Sequence, residues 1–178
     1  MRYAALLRGI GPTNPNMRNE KFREVFEKLG FQNVQTVITI GNVLFESPSR
    51  AVKKLETTIE EAIQEKLGFT STTIIRSHQQ LKQLVANNPF GKIEDTPTTR
   101  LNVTFLKGKQ VTDLRFPYRA EKKGYSVIGM RDREVFSVVD LTGAKTPDVM
   151  AWIEKQFGKA VTTRTWKTVG RILKRLDP

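Results

Sequence analysis

The sequence predicts an α+β protein made of two copies of a βαββαβ unit, a duplicated ferredoxin-like fold with antiparallel sheets, helices on one face and an extra C-terminal helix. Three observations support this prediction. Short β-branched runs alternate with amphipathic segments in the order β-α-β-β-α-β. The same order restarts near residue 100. Short motifs also correspond between the two halves, in register with that order.

The first half contains four predicted strands and two predicted helices. Apolar residues recur at helical spacing after Met17 and after Ser49, and Gly30 and Gly68 stand where these helices should end. Ile40-Gly41-Asn42 is typical of a tight hairpin turn. The predicted strands are 3–7, 34–39, 43–46 and 72–75, and the predicted helices lie within 17–29 and 52–67.

The second half begins after a predicted connecting helix that ends at Asn88-Pro89, because the residue before proline disfavours the helical conformation. Thr146-Pro147 begins the next helix and Gly158 ends it, with Trp152 and Phe157 expected in the core. The predicted strands are 101–106, 125–130, 134–139 and 161–164, with an irregular or helical piece at 111–118 and a last helix at 166–176. These assignments give a first repeat at 1–77, a connecting segment at 78–99 and a second repeat at 100–178, expected to form one compact unit.

Several short segments match between the halves. They follow the same element order, so together they indicate an internal duplication. The matched pairs are 6–9 with 105–108, 42–44 with 134–136, 67–68 with 157–158 and 72–73 with 162–163.

Composition excludes several chemistries. The 178 residues include no cysteine and one histidine, His78. Disulfides, thiolate catalysis and cysteine-bound zinc or iron are therefore excluded, and one imidazole cannot build a multi-histidine site. We expect no metal, no cofactor and no catalytic residue.

The apolar run before Arg8 is too short for a signal peptide or a membrane span, so we expect a cytoplasmic protein with no membrane partner.

The charge distribution is unusual. The chain holds 30 Lys and Arg against 18 Asp and Glu, a net charge of +12. Residues 1–90 hold 12 basic and 8 acidic residues, whereas residues 91–178 hold 18 and 10. Such an asymmetry indicates a polyanionic partner, with nucleic acid as the leading hypothesis.

Glu60, Glu61 and Glu65 are interpreted as a solvated helix face. The oligomeric state is left open.

The last predicted helix carries the strongest site signal. An apolar stripe of Trp166, Val169, Leu173 and Leu176 is expected on one side, and cations occupy the other. Two readings remain open, a docked helix with a solvated basic face and an anion-binding face. The anion-binding candidates here are Arg164, Lys167, Arg171, Lys174 and Arg175.

Further anion-binding candidates are Arg8 and Gly9, at a strand-to-loop junction, and Asn42. Glycines at such a junction let backbone amides approach an anion, but a tight turn needs the same glycines. The leading function is a non-catalytic binding domain for an anionic ligand. The alternatives are an enzyme acting on a small phosphorylated or carboxylated substrate between the repeats, through Arg8, Asn42 and Arg164, and an interaction or oligomerisation module.

Four segments resemble a known bacterial family, the domain of unknown function 1697. They are 3–10, 41–43, 88–90 and 162–169. The resemblance implies a duplicated ferredoxin-like α+β fold and no established biochemical role. Two loops, 11–16 and 141–145, depart from the family by having fewer basic residues, so a phosphate-binding role is weaker for them.

Overall fold

The computed structural model of the protein describes residues 1–38 and 41–177, apart from the side chain of Glu121. The strands are β1 (Arg2–Leu7), β2 (Gln32–Thr36), β3 (Asn42–Glu46), β4 (Thr73–Ser77), β5 (Thr99–Leu106), β6 (Tyr118–Ala120), β7 (Tyr125–Arg131), β8 (Glu134–Asp140) and β9 (Val161–Thr165). The α-helices are α1 (Asn19–Lys28), α2 (Val52–Leu67), α3 (His78–Ala86), α4 (Val149–Phe157) and α5 (Trp166–Leu176). The predicted turn residue Ile40 lies outside the described residues.

The chain divides into two compact units. The first comprises Met1–Gln83 together with the C-terminal residues from Arg171 on, and the second comprises Leu84–Gly170. This grouping differs from the predicted division at 77 and 100, because the boundary falls inside α3 and the second half of α5 belongs with the first unit.

The first unit has the predicted order β1-α1-β2-β3-α2-β4. Its sheet runs β2-β3-β1-β4, and neighbouring strands are antiparallel. Both helices bury their apolar stripes against one face of this sheet, where Tyr3, Phe45 and Ile75 meet Phe26 and Ile59. The predicted helical spacing in this half is therefore confirmed.

The second unit has a five-stranded antiparallel sheet in the order β6-β7-β8-β5-β9. Residues 107–124 are all described and none lies in an α-helix, so a second complete βαββαβ pattern is not present. The irregular alternative for 111–118 is the one observed. Leu114, Phe116 and Tyr118 pack on the core at alternate positions, which suits an extended segment and not a helix.

Corresponding strands of the two units share their hydrogen-bond register. In each unit, the last residue of β1 or β5 donates its N–H to the hairpin residue just before β3 or β8. The next residue donates its N–H to the residue just before β4 or β9. These bonds are Leu7 N–H to Gly41 O (2.8 Å), Leu106 N–H to Arg133 O (2.8 Å), Arg8 N–H to Thr72 O (2.9 Å) and Lys107 N–H to Ala160 O (3.0 Å).

This register agrees with two of the sequence matches and corrects a third. The pairings of Leu6 with Asn42 and of Phe105 with Glu134 support the matches at 6–9 and 42–44. The match of 72–73 with 162–163 is wrong by two positions. Gly68 precedes β4 by five residues, whereas Gly158 precedes β9 by three, so the loop is longer in the first unit.

Within the described residues, no helix combines the length and the apolar character needed to cross a bilayer.

Candidate anion-binding surface

Helix α5 forms directly after β9. The Oγ1 of Thr165 accepts a hydrogen bond from the backbone N–H of Thr168 (3.2 Å), which satisfies an amide in the first turn of the helix. Val169, Ile172 and Leu176 are buried on the inner side. The predicted stripe is thus wrong at Leu173, which is only half-buried. Ile172 takes the inner position because the spacing from Val169 is three residues and that to Leu176 is four.

The outer side of α5 carries four exposed cations at helical spacing, Lys167, Arg171, Lys174 and Arg175, which we call the basic helix face. Two of them have polar neighbours. The Nζ of Lys167 lies 3.3 Å from Oδ1 of Asp95, and the Nε of Arg175 donates to Oε1 of Gln35 at 2.8 Å. The Lys167 side chain of this ion pair is exposed to solvent, so the pair adds little to stability. Gln35 is neutral, so this contact does not itself neutralise the charge of Arg175.

Arg164 differs from the other predicted candidates. It lies on β9, is half-buried, and its Nη1 donates to Oγ1 of Thr162 and to the carbonyl of Thr163, both at 2.8 Å. Burial lowers the pKa of this guanidinium to about 10. These Nη1 contacts lie within its own strand, and Arg164 is not part of the basic helix face.

Arg76 in the first unit has the same position and the same contact as Arg164. Strand pairing sets Ala4 opposite Arg76 and Val103 opposite Arg164. The Nη1 of Arg76 donates to the carbonyl of Ile75 at 3.0 Å, and the residue is 1% exposed. Each arginine thus donates a hydrogen bond to the carbonyl of the preceding residue on the closing strand of its unit.

The next residue is equivalent too. The Oγ of Ser77 accepts from the N–H of Gln80 at 3.2 Å at the start of α3, as Thr165 does for α5. The correspondence between the units therefore extends past the closing strand into the helix that follows it.

The remaining candidates lie at one end of the first sheet. Arg8 is half-buried, and its carbonyl accepts a hydrogen bond from Oγ of Ser71 at 2.8 Å. Gly9 is exposed with φ of +73°, a conformation that favours glycine. Asn42 is 3% exposed and donates Nδ2 to the carbonyl of Val37 at 3.1 Å. The Asn42 amide is thus engaged within the hairpin, which weakens the enzyme hypothesis that used it for substrate.

A groove in the second unit was not predicted from the sequence. It measures about 550 Å³ and runs along one side of α4. Trp152, expected in the core, is half-buried and stacks on Tyr118, with ring centroids 4.7 Å apart and planes 19° apart. Lys123 and Lys155 also line the groove. Helical spacing predicted the apolar stripe of α4. It could not show that residues 107–124 contain no α-helix to cover the indole of Trp152.

The second sheet buries a phenylalanine on β5 and another on β8. Phe105 and Phe136 are buried, at 1% and 4% exposure, and Phe157 is buried as well. The phenylalanines of these two strands are therefore not available to stack on nucleotide bases. Among the described residues, no group of three His, Cys, Asp or Glu side chains is arranged to hold a metal ion.

Over the residues that the structure describes, these features define an α+β protein with two antiparallel sheets and five α-helices. The chain belongs to the family described as "Protein of unknown function (DUF1697)", whose profile matches residues 1–136. The predicted family is thus confirmed. A similar fold occurs in the conserved bacterial protein SP0830 from Streptococcus pneumoniae. The TM-score is 0.67 at 18% sequence identity, over 98% of this chain and 97% of that one. A comparison with curated proteins gives no match.

Proposed function

We propose that this protein is a non-catalytic binding domain for an anionic ligand, with nucleic acid as the ligand class. The basic helix face makes the contacts. The observation that carries this proposal is the placement of four exposed cations on one side of α5, whose other side is buried. The buried side fixes the helix orientation, so the cations are presented together.

Recognition of this kind is electrostatic. Each phosphate that a lysine or arginine neutralises releases condensed counterions, so the logarithm of affinity falls with the logarithm of salt concentration by roughly 0.9 per contact for duplex DNA and about 0.7 for single strands. Contacts to phosphates carry little sequence information. With three or four contacts, we expect dissociation constants of about 10⁻⁶ M or weaker at physiological salt.

The test is fluorescence anisotropy of labelled single- and double-stranded oligonucleotides over a salt series. The K167Q/R171Q/K174Q variant removes three cations of the basic helix face, and it should flatten the duplex salt slope by about 2.7. A matched control is R23Q/K53Q/K54Q, which removes the same charge from exposed positions on α1 and α2. Equal slopes for both variants would show that the basic helix face is merely solvated.

A second candidate function is favoured by the groove along α4. A half-buried indole and phenol lie beside Lys123 and Lys155, a combination that suits an anionic aromatic ligand, because rings stack and ammonium groups pair with the anion. Asp148 also lines the groove, but its Oδ1 accepts a hydrogen bond from the N–H of Ala151 at 3.0 Å, and the two lysines outnumber it. Titration of the protein with a nucleoside monophosphate, followed by tryptophan fluorescence, tests this. A W166F background leaves Trp152 as the reporter, and K123Q/K155Q should weaken the response.

We also propose that the two units descend from one duplicated ferredoxin-like unit. The shared strand register, the equivalent arginines Arg76 and Arg164, and the equivalent caps Ser77 and Thr165 support this. The second unit then lost its first helix and gained β6. Superposition of the two units in an experimental structure tests the proposal, since Gly68 should fall on Gly158.

A further inference from the structure

A second cluster of cations lies at one end of the second sheet. It comes from three loops: the end of β5, the β7–β8 hairpin, and the connection from α4 to β9. We call it the basic sheet end. Its cations are Lys107, Lys109, Arg131, Arg133 and Lys159.

Hydrogen bonds to the backbone bring these loops together. The N–H of Lys107 donates to the carbonyl of Ala160 at 3.0 Å, next to Lys159. The carbonyl of Lys107 accepts from Nη1 of Arg133 at 3.2 Å. The cluster lies at the ends of four neighbouring strands, β7, β8, β5 and β9, spaced roughly 4.8 Å apart, so it spans on the order of 15 Å. The ends of adjacent strands are thus closer than one Debye length, which is about 10 Å at 0.1 M salt.

The fold does not require these charges. The corresponding end of the first sheet has two equivalent backbone hydrogen bonds, Leu7 N–H to Gly41 O and Arg8 N–H to Thr72 O. Arg8 is nevertheless the only charged residue in the sequence of its three loops, 7–10, 37–42 and 68–72. The loops of the second unit, 106–109, 131–134 and 158–160, hold five cations and two carboxylates, Asp132 and Glu134. The two sheet ends share these two backbone hydrogen bonds, but the first is nearly uncharged and the second is cationic.

We propose that the basic sheet end is a nucleic-acid contact surface, distinct from the basic helix face, which binds the phosphodiester backbone. The proposal rests on the proposed function, since it assumes the same ligand class. Phosphates balance the excess of five cations over two carboxylates, and duplex DNA offers one charge per roughly 1.7 Å of its axis, so several phosphates fit within the span of the cluster. Arginine and lysine are the side chains that commonly make such contacts.

The test uses the variant K109Q/R131Q/K159Q, because these three side chains are exposed. The matched control is again R23Q/K53Q/K54Q. Anisotropy with a labelled duplex is measured from 50 to 200 mM salt, and urea unfolding confirms that both variants keep wild-type stability. We expect the slope of log affinity against log salt to be shallower than that of the control by about 2.7, which is a difference of roughly 40-fold over this four-fold change of salt.

The outcomes separate this inference from the proposed function. If wild-type protein shows no salt-dependent binding to nucleic acid, both are overturned. If it binds, but the sheet-end variant matches the control, only the sheet end is overturned. A shallower slope in this variant supports the sheet end, whatever the result for K167Q/R171Q/K174Q. Equally tight binding of wild-type protein to labelled polyglutamate would point to an acidic protein partner and overturn the assignment to nucleic acid.

Discussion

The backbone N–H of Ile75 donates a 2.9 Å hydrogen bond to Oε1 of Glu56, a carboxylate on α2 that is 2% exposed. Ile75 is on β4, an edge strand of the first sheet. Two further β4 amides bond to side-chain oxygens, Thr73 N–H to Oε1 of Glu60 at 2.7 Å and Ser77 N–H to Oε1 of Gln80 at 2.9 Å. Alternate amides along this edge are thus covered, which disfavours pairing with another strand.

Replacing Glu56 should therefore destabilise the protein. Glu56→Ala removes the acceptor and leaves the N–H of Ile75 buried, so we expect a loss of roughly 1–3 kcal/mol in the free energy of unfolding. Urea unfolding measures it. Glu61→Ala, at an exposed position on the same helix, should stay within about 0.5 kcal/mol of wild type. Similar losses for the two variants would show that the carboxylate of Glu56 does not stabilise the edge.

The glycines that end α2 and α4 should respond differently to alanine. Gly68 has φ of 77° and ψ of 19°, whereas Gly158 has φ of 78° and ψ of −178°. The first is left-handed helical and costs an L-residue about 1–2 kcal/mol. The second lies in a region nearly confined to glycine, so Gly158→Ala should cost roughly 1–3 kcal/mol and exceed Gly68→Ala.

Gly170, inside α5, provides the control for that comparison. Alanine there should stabilise the protein by about 0.5–1 kcal/mol, since its methyl group would enter open space and alanine favours the helix. Thermal unfolding of the three alanine variants gives their order. A Gly68→Ala loss larger than that of Gly158→Ala would contradict the conformational argument.

Two tyrosines should make the protein less stable at alkaline pH. Burial raises the pKa of Tyr3, opposed by the charge of Arg50, and burial raises the pKa of Tyr125, helped by Tyr118 and Asp148. Each phenol keeps its proton in the folded state after the unfolded chain has lost it. Stability is therefore intact below the ordinary pKa near 10 and falls as pH rises from there through the folded pKa.

An absorbance titration of the phenolates tests this directly. In the native protein, Tyr3 and Tyr125 should ionise above the midpoint found in urea, and Tyr3→Phe or Tyr125→Phe should each remove one of the late transitions. Tyr3 has a specific reason to stay protonated, since its hydroxyl donates to the carbonyl of Ser49 at 2.8 Å. Native and unfolded titrations that coincide would refute the prediction.

The stacked pair in the groove should be energetically coupled. Trp152 is half-buried, so Trp152→Ala should cost less than the roughly 3–5 kcal/mol typical of a core tryptophan. A double-mutant cycle with Tyr118→Ala should give a coupling of about 0.5–1.5 kcal/mol, the range for aromatic pairs. Additive losses would mean that the two rings pack independently.

Periodicity was sufficient to predict most elements. Apolar spacing identified α1, α2, α4 and the strands of both sheets other than β6, because burial on one face imposes that spacing. It could not detect the missing helix of the second unit, since Leu114, Phe116 and Tyr118 cover the core in an extended conformation. Helix α5 was predicted, but Ile172 and not Leu173 faces inward.

The candidate site was harder to predict from the sequence than the fold. The exposed cations of α5 could be predicted from the helix pattern alone. The local bonds of Arg164 and Asn42 could not, because they depend on strand register. The interpretation of Glu60 as solvated was wrong for the same reason, since its partner, the N–H of Thr73, lies on a strand whose position follows from the sheet. The basic sheet end requires three loops to meet, which only the fold reveals.

The first unit contains both early and late parts of the chain. Arg2 in β1 donates Nη1 to the carbonyl of Leu176 in α5 at 3.0 Å. During synthesis on the ribosome, β1 to β4 emerge first, but the end of α5 follows only after the whole second unit has been translated. The first unit therefore cannot be completed until the second unit has been translated. Until then, the nascent first unit lacks the end of α5. The unit whose synthesis begins first is therefore the last to be complete.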